Sequence, residues 1–473
     1  MKTRGTYFDL IDQTYYFPQD GFDLENGNLF FHNISLKYLI EKYGTPLKIT
    51  YLPKIGEQIK RVRNLFSKAI KSNSYKGSYK YCYCTKSCHF SFVVKESLKY
   101  QVQLETSSAY DLDIIRELYE EGTISKDIII VNNGFKSELY LQKIKMIQDL
   151  GFKNCITVLD SKKELDRLLA VCATDDNIKI GIRMAIDEEP QAAYYTSRLG
   201  IRPSEIVQFY NEKIKDNPRV SLELFHFFVD SGIKDTLYYW GVFQKALSVY
   251  AELKKQCDTL HAIDLGGGLP IRNNLAFEYD YKYIVNELVR LIKEMCENEE
   301  IDDPDIFTEF GKYTVGETGA VIFKVLEAKQ QNDTETWYLI DNSLMTTIPD
   351  SWSICEKFIL LPVNKWDKPY ARVNIGGITC DHSDYYNTED LNQQVYMPKV
   401  DNDNDEEPLY IGFFHTGAYQ DSISGYGGIK HCLIPTPKHI VIDRDDNGQI
   451  VDYLFNDEQN SDDMLRILGY CRR

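Results

Sequence analysis

No stretch of this 473-residue chain approaches the roughly eighteen consecutive apolar residues of a membrane-crossing helix. The opening residues, Met-Lys-Thr-Arg-Gly-Thr-Tyr-Phe-Asp, have no apolar core of an export signal, so a cytoplasmic protein away from membranes is expected. Basic charge is in deficit: 54 Lys and Arg face 71 Asp and Glu, a net charge of −17. That balance argues against nucleic acid as a partner and is compatible with a cationic small molecule. Eleven cysteines occur without regular spacing. Cys82-Tyr-Cys84 is not a zinc-knuckle spacing and no matching Cys/His pair follows, so no metal is expected and the thiols read as reduced. A Gly-x-Gly-x-x-Gly after the strand at Tyr79–Tyr83 is also missing, which removes the main support for an open dinucleotide-binding sheet.

What is present is a rhythm. The 43% hydrophobic and 26% charged residues are those of an ordinary globular protein, and from residue 51 short apolar runs alternate with helical periodicity. The spacing predicts strands over Tyr79–Lys86, Gln103–Ser107, Ile128–Val131, Cys155–Leu159, Ile178–Met184, Leu222–Val229, Leu260–Leu265 and Ile306–Glu309. A helical segment follows each but the last. Such units predict an α/β protein whose residues 51–315 form a parallel (β/α)8 TIM-like barrel. Beyond Lys312 helices thin out. Strands over Val321–Ala328, Thr336–Ile340, Arg372–Ile378, Leu409–Phe414 and His439–Ile442 predict a C-terminal all-β domain over residues 316–473. Residues 1–50 are expected to join that β-domain, and Ser461–Leu468 to close the chain as a helix. The acidic run Asp401–Glu407 reads as a solvated loop, disordered by default.

Ligands of such barrels sit where the strands end, and here the strand ends are polar. Lys86 closes the first, Asn133-Gly134 the third, Arg183 the fifth and Asp230-Ser231-Gly232 the sixth. Asp264-Leu-Gly-Gly-Gly-Leu-Pro270 closes the seventh and Glu309-Phe-Gly-Lys312 the eighth. A lone strand-end lysine is most often a solvated tip, and three glycines most often a turn. With a Ser-Gly one strand earlier and a Gly-Lys one strand later, the glycines read better as a phosphate cradle of backbone N–H groups.

In this order the motifs resemble those of the fold type III (alanine-racemase-like) PLP-dependent decarboxylases of basic amino acids. Lys86 in Thr-Lys-Ser is similar to the family's Schiff-base lysine, Asp264–Gly268 to its phosphate loop, and Glu309-x-Gly-Lys312 to its Glu-x-Gly-Arg motif. Thr379-Cys380-Asp381 resembles its Cys-Asp motif and Gly417-Ala418-Tyr419 its Gly-Ala-Tyr. Asn133-Gly-Phe-Lys136, Ile348-Pro-Asp-Ser-Trp352 and Gly412-Phe-Phe-x-x-Gly-Ala-Tyr-Gln420 are similar to segments of the arginine-specific branch. The resemblance implies pyridoxal 5'-phosphate (PLP) as cofactor and decarboxylation of arginine to agmatine, a step of polyamine synthesis. It implies that Lys86 bonds the cofactor and that Glu309 faces its ring nitrogen. Gly266, Gly267, Gly268, Ser231, Lys312 and Tyr419 are the implied phosphate ligands, with Arg183, Phe228 and Gly311 also at the cofactor. Cys380 is the implied proton donor to the α-carbon. Asp381 and Asp384 are the implied partners of the substrate's cationic tail. The Cys-Asp pair would reach the barrel of a partner subunit, in a homodimer with shared sites.

Four positions depart from the family pattern. Phe228 stands where a histidine stacks on the cofactor ring; a phenyl can stack but cannot hydrogen-bond. Asp230 replaces a glycine beside the phosphate, where an anion is unwelcome. Lys312 replaces an arginine and loses its fork, while Arg198 replaces a lysine. Ornithine, lysine or meso-diaminopimelate therefore stay open as substrates. A decarboxylase-like regulatory protein without turnover stays open as a different class of function.

Overall fold

The strand–helix alternation closes into a barrel. The computed structural model describes residues 16–173, 177–187, 197–387, 394–402 and 405–470. Its barrel strands are Tyr79–Cys84, Gln103–Thr106, Ile130–Asn132, Cys155–Leu159, Ile178–Arg183, Val220–His226, Ala262–Asp264 and Asp305–Glu309. They are all parallel and lie side by side in chain order, and the eighth returns to the first with Glu309 opposite Cys82. The first strand is shorter than expected: it stops at Cys84, and Lys86 lies in a tight 3-10 turn, Thr85–Ser87. The Cys88 N–H to Thr85 carbonyl bond and the Ser87 hydroxyl to Cys84 carbonyl bond close that turn.

Period-two alternation sorts the first strand's side chains. Cys82 points inward and packs with Val131, Ile156, Val158, Leu224, Ala262 and Phe307 to fill the barrel. Tyr79 and Tyr81 point outward. The Tyr79 ring stacks on Phe66 at 3.9 Å, an arrangement worth about 1 kcal/mol beyond area burial, and Tyr81 shares a 2.8 Å hydrogen bond with Thr314. Phe66 belongs to the helix Pro53–Ser72, whose buried Ile55, Ile59, Val62 and Phe66 recur at helical spacing.

The strands after the barrel form one mostly antiparallel sheet system. Its hub is Gly319–Gln330, which pairs with Thr336–Ile340, Tyr410–Phe414 and Leu47–Tyr51. Leu47–Tyr51 lies between that hub and Lys438–Arg444, so a strand from before the barrel sits inside the C-terminal sheet. Ile359–Pro362, Val395–Pro398 and Ile450–Asn456 are strands that periodicity did not anticipate. The acidic run is a largely exposed loop, as expected, but its described part is tethered. Lys365 pairs with Asp405 at 2.8 Å, the Asp401 N–H donates to Asp405, and Asn402 bonds the Ala328 backbone. Residues 403–404 of that run, and residues 1–15, lie outside the described residues. Among the described residues no helix is long and apolar enough to cross a membrane.

Candidate active site

Strand register assembles a ring of polar side chains at the C-terminal mouth of the barrel. Cys84 pairs with Glu105 across the first two strands, so Lys86, two residues further on, arrives at the Glu105 side chain. The Lys86 Nζ donates to both Glu105 oxygens, at 3.0 and 3.1 Å. Glu105 is fully buried, whereas the Lys86 side chain keeps 42% of its surface open. Burial acts most strongly and lowers the Lys86 ammonium, but Glu105, Cys84, Glu309 and Tyr419 together outweigh it and hold the group well above the usual lysine range. Asn133 links the lysine to the far side of the ring, its Nδ2 donating to Glu105 at 3.1 Å and to Glu309.

Glu309 is the negative centre of that far side. Its second oxygen lies 3.3 Å from His226 Nε2. Burial acts to raise the Glu309 carboxyl, but His226 and then Lys86 outweigh it and hold it at about 2. Asp264 behaves oppositely. Burial first, and then the Glu309 charge, push its carboxyl well above the carboxylate range, while its Oδ1 accepts the Gly266 N–H at 2.8 Å. Neighbouring carboxyls driven apart in this way give one fixed anion beside one protonated acid.

Beside the ring two loops meet backbone to backbone. Gly232 and Gly268 adopt φ of +85° and +96°, and a Cβ on Gly268 would lie 2.7 Å from the Gly232 Cα. A Cβ on Gly267 would lie 2.7 Å from the Glu309 carbonyl. Side chains at these positions would wedge the loops apart, so the glycines keep backbone N–H groups near the mouth. Ser231 belongs to the first of these loops. Gly311 packs against the lysine turn, where a Cβ would meet the Ser87 Cβ at 2.9 Å. The Tyr419 N–H donates to the Ser87 carbonyl at 2.8 Å from a strained backbone of φ +67°. Burial raises the Tyr419 phenol, with the nearby Lys86 charge pulling the other way. Phe228 lies against Gly266, and the Arg183 guanidinium carbon sits 5.8 Å from its ring centre.

Residues 54–316 match the family described as "Pyridoxal-dependent decarboxylase, pyridoxal binding domain". The chain belongs to this family. It is a PLP-dependent amino-acid decarboxylase of the fold type III class. The biosynthetic arginine decarboxylase of Prochlorococcus marinus strain MIT 9215 is 23% identical over 550 residues, covering 90% of this chain and 83% of the relative. Two solved structures share the fold. The biosynthetic arginine decarboxylase of Campylobacter jejuni has a TM-score of 0.78 at 21% identity, covering 95% of this chain and 89% of that one. Diaminopimelate decarboxylase of M. jannaschii, in complex with L-lysine, has a TM-score of 0.76 at 17% identity, covering 94% and 97%.

The residues present fit the family's cofactor. Around Glu309 two buried polar atoms, His226 Nδ1 and Asn133 Oδ1, have no hydrogen-bond partner among the described residues. A buried polar atom without a partner costs stability unless a ligand satisfies it. An amine, a buried carboxylate and two glycine loops therefore lie together around polar atoms that the chain itself leaves unsatisfied. Glu105, His226 and Asp264 were not singled out as individual site residues by sequence reading. Glu105 left one signal, an acid between Leu104 and Thr106 in a strand with all three buried.

Other expected site residues lie elsewhere. Lys312, expected on the phosphate, donates to Glu356 Oε1 at 2.6 Å. Cys380 and Asp381 sit on a turn of the β-domain, Cys380 exposed with its Sγ 3.5 Å from that of Cys432, and Asp381 facing His431 at 3.8 Å. Asp384 is a correction. Its buried carboxylate accepts from the Ser343 and Thr379 hydroxyls and from the Leu344, Met345 and Thr379 N–H groups. It braces a turn and has no lone pair left for a substrate. Asp384→Ala is expected to lower unfolding stability by about 3 kcal/mol, because it strands buried donors. Urea denaturation should show this as a lower midpoint.

Proposed function

We propose that this chain converts arginine to agmatine and CO2, with PLP held on Lys86. The observation that carries the reading is the buried Glu309 carboxyl, bonded by Asn133 and His226, in the same strand-end ring as the Lys86 amine. Bound there, PLP supplies an electron sink for the pair left on the α-carbon when CO2 departs. The chain's own residues have defined tasks. Lys86 must lose a proton from Nζ before it can bond a carbonyl, and Glu105, whose two oxygens lie 3.0 and 3.1 Å from Nζ, is the acceptor in contact with it. Glu309 is the group that would keep a proton on the ring nitrogen, and Asn133 and His226 fix its two oxygens. The Ser231–Gly232 and Gly266–Gly268 loops would hold the phosphate through backbone N–H groups.

Cys380 and Asp381 enter this reading as residues donated to the barrel of a second copy. Two features support a homodimer. Both residues lie on the β-domain, with Cys380 exposed beside Cys432 and Asp381 half-buried beside Ser383 and His431. The edge strand Ile450–Asn456 and the helix Ser461–Ile467 expose Val451, Tyr453, Leu454, Leu465 and Ile467, an apolar surface that a second copy would cover. Asp381 would then meet the substrate's guanidinium.

The relative from Prochlorococcus favours arginine, and the fold likeness to diaminopimelate decarboxylase favours a second reading, diaminopimelate. A CO2-release panel separates them. Arginine is expected to exceed ornithine, lysine and meso-diaminopimelate in kcat/KM by at least about tenfold, the scale set by one well-paired polar group. A faster rate with any of the other three overturns the arginine assignment and leaves the decarboxylase class standing.

A further inference from the structure

The turn that carries Cys380 comes close to a second turn from much later in the chain. His431–Leu433 forms a short 3-10 turn in which Cys432 takes a left-handed backbone, φ 52° and ψ 19°. The Cys380 and Cys432 sulfurs are 3.5 Å apart. With an imidazole nitrogen of His431, these atoms all lie within 4.8 Å of one another, and all three residues are exposed. We propose that Cys380, His431 and Cys432 form a site for a zinc-like divalent cation.

Geometry and ligand chemistry both support the assignment. Zinc bonds of about 2.3 Å to sulfur at the tetrahedral angle place two thiolates about 3.8 Å apart, so the observed sulfurs need shift only slightly. Two thiols and an imidazole select zinc over magnesium or calcium, which take oxygen ligands. Asp381 Oδ2, 3.8 Å from His431 Nε2, either supplies a fourth ligand or orients the imidazole from behind. The adjacent carboxylate also offsets the cation's charge. A left-handed backbone at the non-glycine Cys432 is a strained conformation of the kind found at ligand clamps. Sequence spacing could not disclose the site, because its ligands come from two turns distant in the chain.

Binding converts each thiol to a thiolate and releases its proton to solvent. A cation there would therefore remove the proton that Cys380 is proposed to deliver to the α-carbon. This consequence, unlike the site itself, rests on the role given to Cys380 above.

The test titrates Co2+ and Zn2+ into the full-length holoenzyme kept reduced with a phosphine. One cobalt per chain is expected, with the visible bands of tetrahedral thiolate-ligated cobalt, at longer wavelength than the cofactor absorbs. Cys432→Ser and His431→Ala should each weaken binding by at least about tenfold, a loss that even outer-shell partners of a metal can cause. Zinc should inhibit the parent enzyme, while Cys432→Ser keeps its metal-free turnover and escapes inhibition. Octahedral cobalt bands, or affinity unchanged by Cys432→Ser, would overturn the site. Tetrahedral binding lost in Cys432→Ser, but without inhibition of the parent enzyme, supports the site and refutes the role of Cys380 in turnover.

Discussion

Lys86→Ala is expected to decarboxylate arginine at least about a thousandfold more slowly than the parent chain, the scale on which covalent groups fail when deleted. The effect is large because the side chain has no substitute among its neighbours. Glu105, Asn133, Glu309, His226 and Asp264 share the ring, and none of them carries an aliphatic amine. Deletion also leaves the buried Glu105 carboxylate without its cation, so stability is expected to fall together with activity. Steady-state CO2 release, read beside a thermal melt, separates the two losses. A Lys86→Arg variant sharpens the comparison, since it restores charge opposite Glu105 but not a nucleophilic amine. Stability should recover in that variant while turnover does not.

Glu309→Gln should lower kcat by about 10²- to 10³-fold, as removal of a preorganised electrostatic partner does elsewhere. The amide keeps the shape and the hydrogen-bonding reach of Glu309 but not its charge. Burial works against that charge, and His226 and Lys86 outweigh burial to hold the group at about 2. The sign follows from this depression. Ionisation of Glu309 stabilises the fold fully above the ordinary carboxylate range, and the contribution is lost only as pH falls toward about 2. The ratio of parent to Glu309→Gln rates should therefore stay flat across neutral pH. A ratio that changes with the slope of one proton there would show that Glu309 titrates during turnover.

The barrel was legible because its signal is repeated. Eight apolar runs separated by helical segments leave few alternatives, and every strand was placed, Cys155–Leu159 to the residue and the others with one or both ends shifted by one to three residues. Two of those shifts fall where the chain leaves the sheet to serve the site: the strand ahead of Lys86 stops at Cys84, and that ahead of Phe228 at His226. The β-domain was less legible. Ile450–Asn456 is an exposed edge strand and so lacks the inward-outward alternation of a half-buried one. Ile359–Pro362 and Val395–Pro398 are only four residues long. Within the site, motifs announced Lys86, the glycine loop and Glu309. Glu105 and His226 sit inside strands, and only the register of paired strands reveals that they face the mouth. Asp384 shows the opposite failure. It follows the Cys-Asp pair closely in sequence, yet five donors turn it toward the interior of its own turn.

Reductive trapping tests the central claim most directly. Purified chain loaded with PLP is treated with borohydride, digested and mapped by mass spectrometry. One pyridoxyl group on Lys86, lost in Lys86→Arg, is the predicted result. A pyridoxyl group fixed on a different lysine, or none on a chain that still releases CO2 from arginine, would contradict the account.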